Sequence, residues 1–405
     1  VSTGRDDDFP KLRILDLVPI QASGRQMVAL RDPLGLSEQT VVVDDRTFFL
    51  LRFFDGTHSK LDIKTEYARR FGGLLFGDKL DALIEKLDIA LLLDNDRFRS
   101  TKDDMERSFT KSPSRPAFLA GKSYPADQEE LKTMLDGFLD EAGGDKAGKG
   151  TLRAVVAPHI DIRRGGRTFA AAYREVMKSE ANTFVILGVD HKGMEGMFCA
   201  TRKPFETPLG TAETDGDALA ALERGCGEGL FAHQSAHRME HSIEFQVVFL
   251  KHIFPDRPIR IVPVLCGSFE AAIFQGKSPK EDPVLKPFTR ALREIVKDRG
   301  DSLVVIAGAD LSHVGRRFGD PNPVSLPSLE AQDRSTLKRA ESIDAQAFYK
   351  DIARDGNRRG ICGLPAIYTL LATTDATDAV LLEYAQWPER ETGSVVTGAS
   401  MAFCR

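Results

Sequence analysis

The chain has 405 residues, 42% of them apolar and 28% charged, with a formal net charge of -5. That length predicts two or three domains, each able to bury its own core, and the mild negative charge gives no general drive toward nucleic acid or membrane. No apolar run nears the roughly 18 residues of a spanning helix, and five scattered cysteines point to a reducing cytoplasm rather than a disulfide framework.

The stretch 1–10 carries Arg5 to Asp8 and no apolar segment, unlike a signal peptide. Residues 1–100 read as a small α/β docking domain. Its candidate strands are 12–18, 27–30 and 40–43. Its candidate helices are a short one through Phe54 capped by Asp45 or Thr47, then 61–71 capped by Ser59, then 79–87. Residues 89–93, a turn at 94–96 and Phe98 read as a terminal hairpin, which gives a winged-helix-like order. Between Lys11 and Ser100, 14 Lys and Arg face 14 Asp and Glu. A DNA-binding module shows a basic excess, so a peptide or partner protein is the expected ligand. The order of elements loosely resembles PqqD-type peptide-binding domains.

Residues 101–116 are polar and end in two prolines, and they read as a linker. The domain 117–405 follows. Asp127, with Glu130 three residues on, is expected to cap a helix carrying Leu131, Met134, Leu135 and Phe138; a loop is expected at 145–150. From Leu152 strands and helices alternate. Strands are expected at 152–156, 183–187, 259–264, 303–307, 380–384 and 395–403. Helices are expected at 168–178, 217–223, about 242–254, 288–297, 330–340 and 364–372. This pattern predicts an α/β fold, with a mixed or largely parallel sheet covered by helices.

Three of the 8 histidines follow predicted strands: His159 after 152–156, His191 after 183–187 and His313 after 303–307. The carboxyl edge of such a sheet is where ligands sit, and imidazole is a common metal ligand. Asp190 and Asp310 are ligands, orienting acceptors or plain turn residues. His233, His237 and His241 are spaced by four, but the apolar stripe Ile243, Val247, Leu250, Phe254 starts a helix only at about Ser242. His233 and His237 are therefore expected on a solvated loop, with Glu240, His241 and Glu244 at the helix start. Cys362, between Gly360 and Gly363 and ahead of a helix, is either a thiolate favoured by the helix N-terminus or a small buried residue.

The ordered motifs Ala120 to Asp127, Ala157-Pro158-His159, Ile186 to His191, Glu240-His241-Ser242-Ile243-Glu244, Asp310 to His313 and Ile361-Cys362-Gly363 resemble the Memo family. Its prokaryotic members are called AmmeMemoRadiSam system protein B. The resemblance spans residues 115–405 and implies a fold similar to class III extradiol dioxygenases. It implies that His159, His191 and Cys362 hold a metal, iron(II) first, with copper or zinc as alternatives. His313 would be the acid/base histidine, with Asp310 and His241 beside it. A radical SAM protein of the same system is an implied partner. Two departures stand out: Ile160 to Arg164 replaces an aromatic segment, and Asp190-His191-Lys192 replaces Ser-His-His. Arg163, Arg164 and Lys192 would then bind an anionic substrate, with Asp190 and Glu244 also near it; the bland alternative is solvated surface charge. The expected activity is that of a metal-dependent oxidoreductase acting on a small molecule or peptide. Two alternatives are a ligand-binding scaffold without turnover and a zinc hydrolase.

Overall fold

The computed structural model describes residues 8–22, 24–143, 148–194 and 196–405. Most of the stretch read for a leader, and residues 145–147 of the expected loop, lie outside them. The chain forms two compact units, Val1–Lys111 and Ser112–Arg405. No described helix is long and apolar enough to cross a membrane.

In the first unit, β1 (Asp16–Ala22), β2 (Arg25–Arg31) and β3 (Val41–Val43) form an antiparallel sheet in that order. Four helices follow: α1 (Asp45–Leu51), α2 (Lys60–Phe71), α3 (Gly77–Ile89) and α4 (Asp96–Lys111). Helix α2 begins at the expected Ser59, in a reciprocal capping box with Asp62. Helix α1 is capped one residue earlier than expected, by Asp44.

The hairpin expected across 89–98 does not form, and the winged-helix order rested on it. Leu92 and Leu93 are buried in this unit's core, and Leu93 makes an isolated antiparallel bridge with Leu12 rather than a hairpin with Phe98. The turn that follows is a helix start: Asn95 accepts from the Phe98 amide at 3.0 Å. Helix α4 then extends to Lys111, through most of the segment read as a linker. Pairs one turn apart, Asp104 with Arg107 and Lys102 with Glu106, support it.

In the second unit, α5 (Gln128–Glu141) is capped by Asp127 as expected. The remaining elements are β4 (Leu152–Ala157), α6 (Ile162–Met177), β5 (Thr183–Val189), β6 (Phe198–Ala200), β7 (Phe205–Thr207), β8 (Gly210–Thr214), α7 (Gly216–Cys226), α8 (His241–Ile253), β9 (Arg260–Cys266), α9 (Glu270–Phe274), α10 (Leu285–Arg299), β10 (Leu303–Gly308), β11 (Asp310–Val314), α11 (Leu326–Glu341), α12 (Ala345–Ala353), α13 (Leu364–Thr373), β12 (Asp378–Pro388) and β13 (Val395–Cys404). Ten strands make one mixed sheet, whose main path is β11-β13-β4-β10-β5-β9-β8-β7. The run β4-β10-β5-β9-β8 is parallel. Antiparallel strands extend it, with β13, β11 and β12 on the β4 side.

Successive residues of a strand point to opposite faces, and both faces of this sheet are covered. Phe184 and Ile186 pack under α6 and α8, whereas Val185 and Leu187 pack under α10 and α13. Burial on both sides explains why these strands read as continuous apolar runs. It also sets the site: β10 lies between β4 and β5, so the residues just past β4 and β5 flank the end of β10.

Candidate metal centre

The centre is built at the carboxyl edge of the parallel strands. Pro158 ends β4, and His159 stands just beyond it, 2% exposed. Its ring Nδ1 is 2.8 Å from the carbonyl oxygen of Gly308, at the end of the neighbouring β10. A carbonyl only accepts, so Nδ1 carries a proton and Nε2 faces inward. Its backbone amide donates to Asp310 Oδ1 at 2.8 Å, as does that of Ile160 at 3.2 Å.

His191 follows β5. Its Nδ1 lies 3.1 Å from both oxygens of Glu240, which fixes the same tautomer and turns Nε2 inward. Glu240 is the N-cap of α8 and accepts the amides of His241 and Ser242 at 2.8 and 3.0 Å. The Nδ1 of His241 lies 3.1 Å from the same carboxylate. One buried carboxylate therefore orients two imidazoles, whose rings stack 4.7 Å apart. The start of α8 is fastened to β5 by Ser242, whose hydroxyl bonds the amide and carbonyl of Val189. A side chain at Gly308 would collide with the Ser242 carbonyl at 2.4 Å, so a glycine there lets the helix approach.

Cys362 arrives from the opposite face of the sheet, just ahead of α13. The amide of Gly363 donates to the Asp310 carbonyl at 3.1 Å, and a Cβ at 363 would sit 2.3 Å from that oxygen. The contact seats the sulfur 3.3 Å from His159 Nε2. One ligand atom each from His159, His191 and Cys362 lies within 4.8 Å of the others. A second such set is His191, Glu240 and His241.

Charges are strongly coupled here. Burial opposes a thiolate at Cys362, but His159 and His313 outweigh it and hold the thiol well below its usual value. Burial also disfavours protonated His159 and His191, yet Asp310 and the thiolate raise the first, and Glu240 and the thiolate raise the second well above the usual value. His313 is raised to about 9 against its burial, chiefly by Cys362. For His241 burial wins over Glu240, and its value falls. The centre thus sets an anionic sulfur beside the protonated rings of His159, His191 and His313, and a divalent ion suits such donors by replacing those protons.

Not every expected site residue joins this centre. Asp190 borders it, but its carboxylate accepts the amides of Lys192 and Met194 at 3.2 and 2.6 Å, which makes it a turn residue. Glu244, expected near a substrate, does not join the centre. It lies one turn beyond Glu240, fully buried, and is claimed by the Arg115 guanidinium, the Tyr124 hydroxyl and the Leu119 amide. Its lone pairs are used by the fold rather than by a substrate. Arg163 donates to the Lys122 carbonyl at 2.9 Å and Arg164 to the Trp387 carbonyl at 3.0 Å. Among the described residues, a cleft of about 240 Å³ beside His191 and Cys362 has an apolar floor that includes Phe269, Ile273 and Leu364. Its polar groups include Asp190, Ser268, Glu270 and Asn357, and Arg163, Arg164 and Lys192 do not line it. His237, expected in solvent, is 1% exposed and bonds the Cys199 carbonyl at 3.0 Å.

Arg115 gave no signal in the sequence, because a Ser-Pro-Ser-Arg-Pro run reads as linker. It is fully buried and also bonds the carbonyls of His237 and Glu240. It thereby braces the segment that delivers the histidine-orienting carboxylate.

A family model described as Memo-like protein matches residues 115–402. A MEMO1 family protein of Aquifex aeolicus is 30% identical over 398 residues, covering 97% of this chain and 99% of its own length. One of Thermococcus kodakarensis is 31% identical over 303 residues, covering 71% of this chain and 98% of its own. One of Thermus thermophilus is 30% identical over 313 residues, covering 76% and 88%. The Aquifex match takes in the N-terminal unit as well.

Proposed function

The chain belongs to the Memo-like protein family, and from that premise we propose that it is a metal-dependent oxidoreductase in which His159, His191 and Cys362 hold one iron(II). The observation that carries the reading is the prepared donor set. Two imidazoles have their tautomers fixed by Gly308 and Glu240, and both present Nε2 toward a sulfur kept as thiolate. Such donors suit iron, copper or zinc; the resemblance to class III extradiol dioxygenases favours iron. When bound, iron or copper supplies electron transfer and Lewis acidity.

The chain's own residues do the rest. Asp310 holds the backbone here by accepting the amides of His159 and Ile160. Glu240 keeps His191 and His241 in one tautomer. His313, which interacts with the Cys362 thiolate, gives or takes a proton at its ring. A cleft of about 240 Å³ admits a small molecule or the tip of a peptide, and its apolar floor sheds water from an apolar substrate body.

The test is metal content after anaerobic purification of the wild type, His159→Ala and Cys362→Ala. The expected result is about one iron or copper per wild-type chain, lost in both variants. Zinc alone, with oxygen-independent hydrolysis, would replace this reading with a hydrolase. A well-folded wild type that takes up no metal would replace it with a binding protein.

A further inference from the structure

His313 and Asp310 both serve the centre, yet residues three apart on a regular strand point to opposite faces. The strand between them is not regular. Asp310 pairs with Gly398 and His313 with Val396, so three steps along β11 match two along β13. Gly398 and Val396 lie two apart and share a face. The extra residue is a β-bulge, and it brings Asp310 and His313 to the same side.

A bulge leaves backbone groups without ladder partners, and here side chains replace them. The Ser312 amide donates to the Thr397 hydroxyl at 2.9 Å. That hydroxyl and the Ser312 hydroxyl each donate to Asp333 at 2.6 Å. Tyr384 donates to Asp333 at 2.9 Å, and the Arg359 guanidinium pairs with it at 2.6 Å. Asp333 is 1% exposed, on α11. Arg359, 7% exposed, bonds the Thr336 hydroxyl with its other nitrogen, and its carbonyl accepts the His313 amide at 2.7 Å. Three residues later the same segment delivers Cys362. One buried carboxylate therefore grips the bulge that aims His313 and, through Arg359, the segment that carries the sulfur.

We propose that the Asp333–Arg359 pair is a positioning element that locks the β11 bulge and so holds His313 against Cys362. The proposal rests on the reading above for the importance of these two residues. It is tested in metal-free full-length protein, so its failure is distinct from a failure to bind metal.

The readout is the pH profile of Cys362 alkylation by iodoacetamide, followed on the Cys362 peptide by mass spectrometry. His313→Ala, Asp333→Asn and the double variant complete a cycle. Expected is an upward displacement of the profile by Asp333→Asn, roughly half a pH unit or more. In the His313→Ala background the same change moves it clearly less, because the route through His313 is gone and only the Arg359 segment still links Asp333 to the sulfur. An unmoved profile in Asp333→Asn, or an equal displacement in both backgrounds, overturns the proposal. If Asp333→Asn does not fold, Ser312→Ala and Arg359→Lys are judged by the same two criteria.

Discussion

Glu240 and Glu244 sit one helical turn apart at the start of α8, both buried, and do opposite work. Around Glu244 the protein is complete: Arg115, Tyr124 and the Leu119 amide use its oxygens, and Arg115 is itself matched by carbonyls. Around Glu240 the partners are the amides of His191, His241 and Ser242 and two imidazoles, of which His191 is left with an inward nitrogen beside a sulfur. A buried polar group is costly unless it is paired. Saturation therefore marks the cluster that serves stability, and converging donor atoms mark the one proposed to hold an ion.

The sharpest way to break the comparison is Glu244→Ala. It leaves the Arg115 guanidinium buried without its counter-charge, at a cost of about 3–5 kcal/mol. Urea unfolding should register that loss, while the folded fraction should bind metal as the wild type does. Equal damage to metal affinity would show that the two carboxylates are one unit.

Next comes His237, whose carbonyl accepts from Arg115. Burial pushes it down to about 4 from an ordinary value of 6.5, so it is folded in as the neutral ring. Between those values the unfolded state binds the extra proton. Its contribution to stability is therefore intact above pH 6.5 and is lost as pH falls toward about 4. The full window is worth about 3 kcal/mol. His237→Gln should flatten the fall of the urea midpoint over that range, and an unchanged slope would contradict the assignment.

The smallest effect is expected at Glu240→Gln. The amide loses the charge and one of the two acceptor oxygens, and its NH2 then faces the His191 donors, so orientation is weakened and no ligand is lost. Metal affinity should fall about 10- to 100-fold with the fold retained, as read by anaerobic titration with iron(II) or cobalt(II). No change in affinity would reduce Glu240 to a helix cap.

Much of this was legible in the sequence because it is local. Apolar runs ending at Pro158 and near Asp190 marked strand ends, and strand ends in a parallel sheet share an edge. The stripe from Ile243 to Phe254 placed the start of α8 within a residue or two. Ser59 and Asp127 announced their helices through side chains that satisfy amides two or three positions on. The expected hairpin at 89–98 failed for a nonlocal reason: the unit's core claimed Leu92 and Leu93 as filling.

What only the tertiary structure decided is the pairing. Arg115 meets Glu244 across 129 positions, and Cys362 meets His159 across 203. Asp333 reaches β11 and β13 from a helix outside both. The extra residue in β11 reverses the face that strand alternation assigns to His313. Periodicity and capping follow from one residue's neighbours along the chain, so a sequence fixes them by itself. The partner of a buried charge is set by which elements the sheet brings together, and that is settled only when the whole core packs.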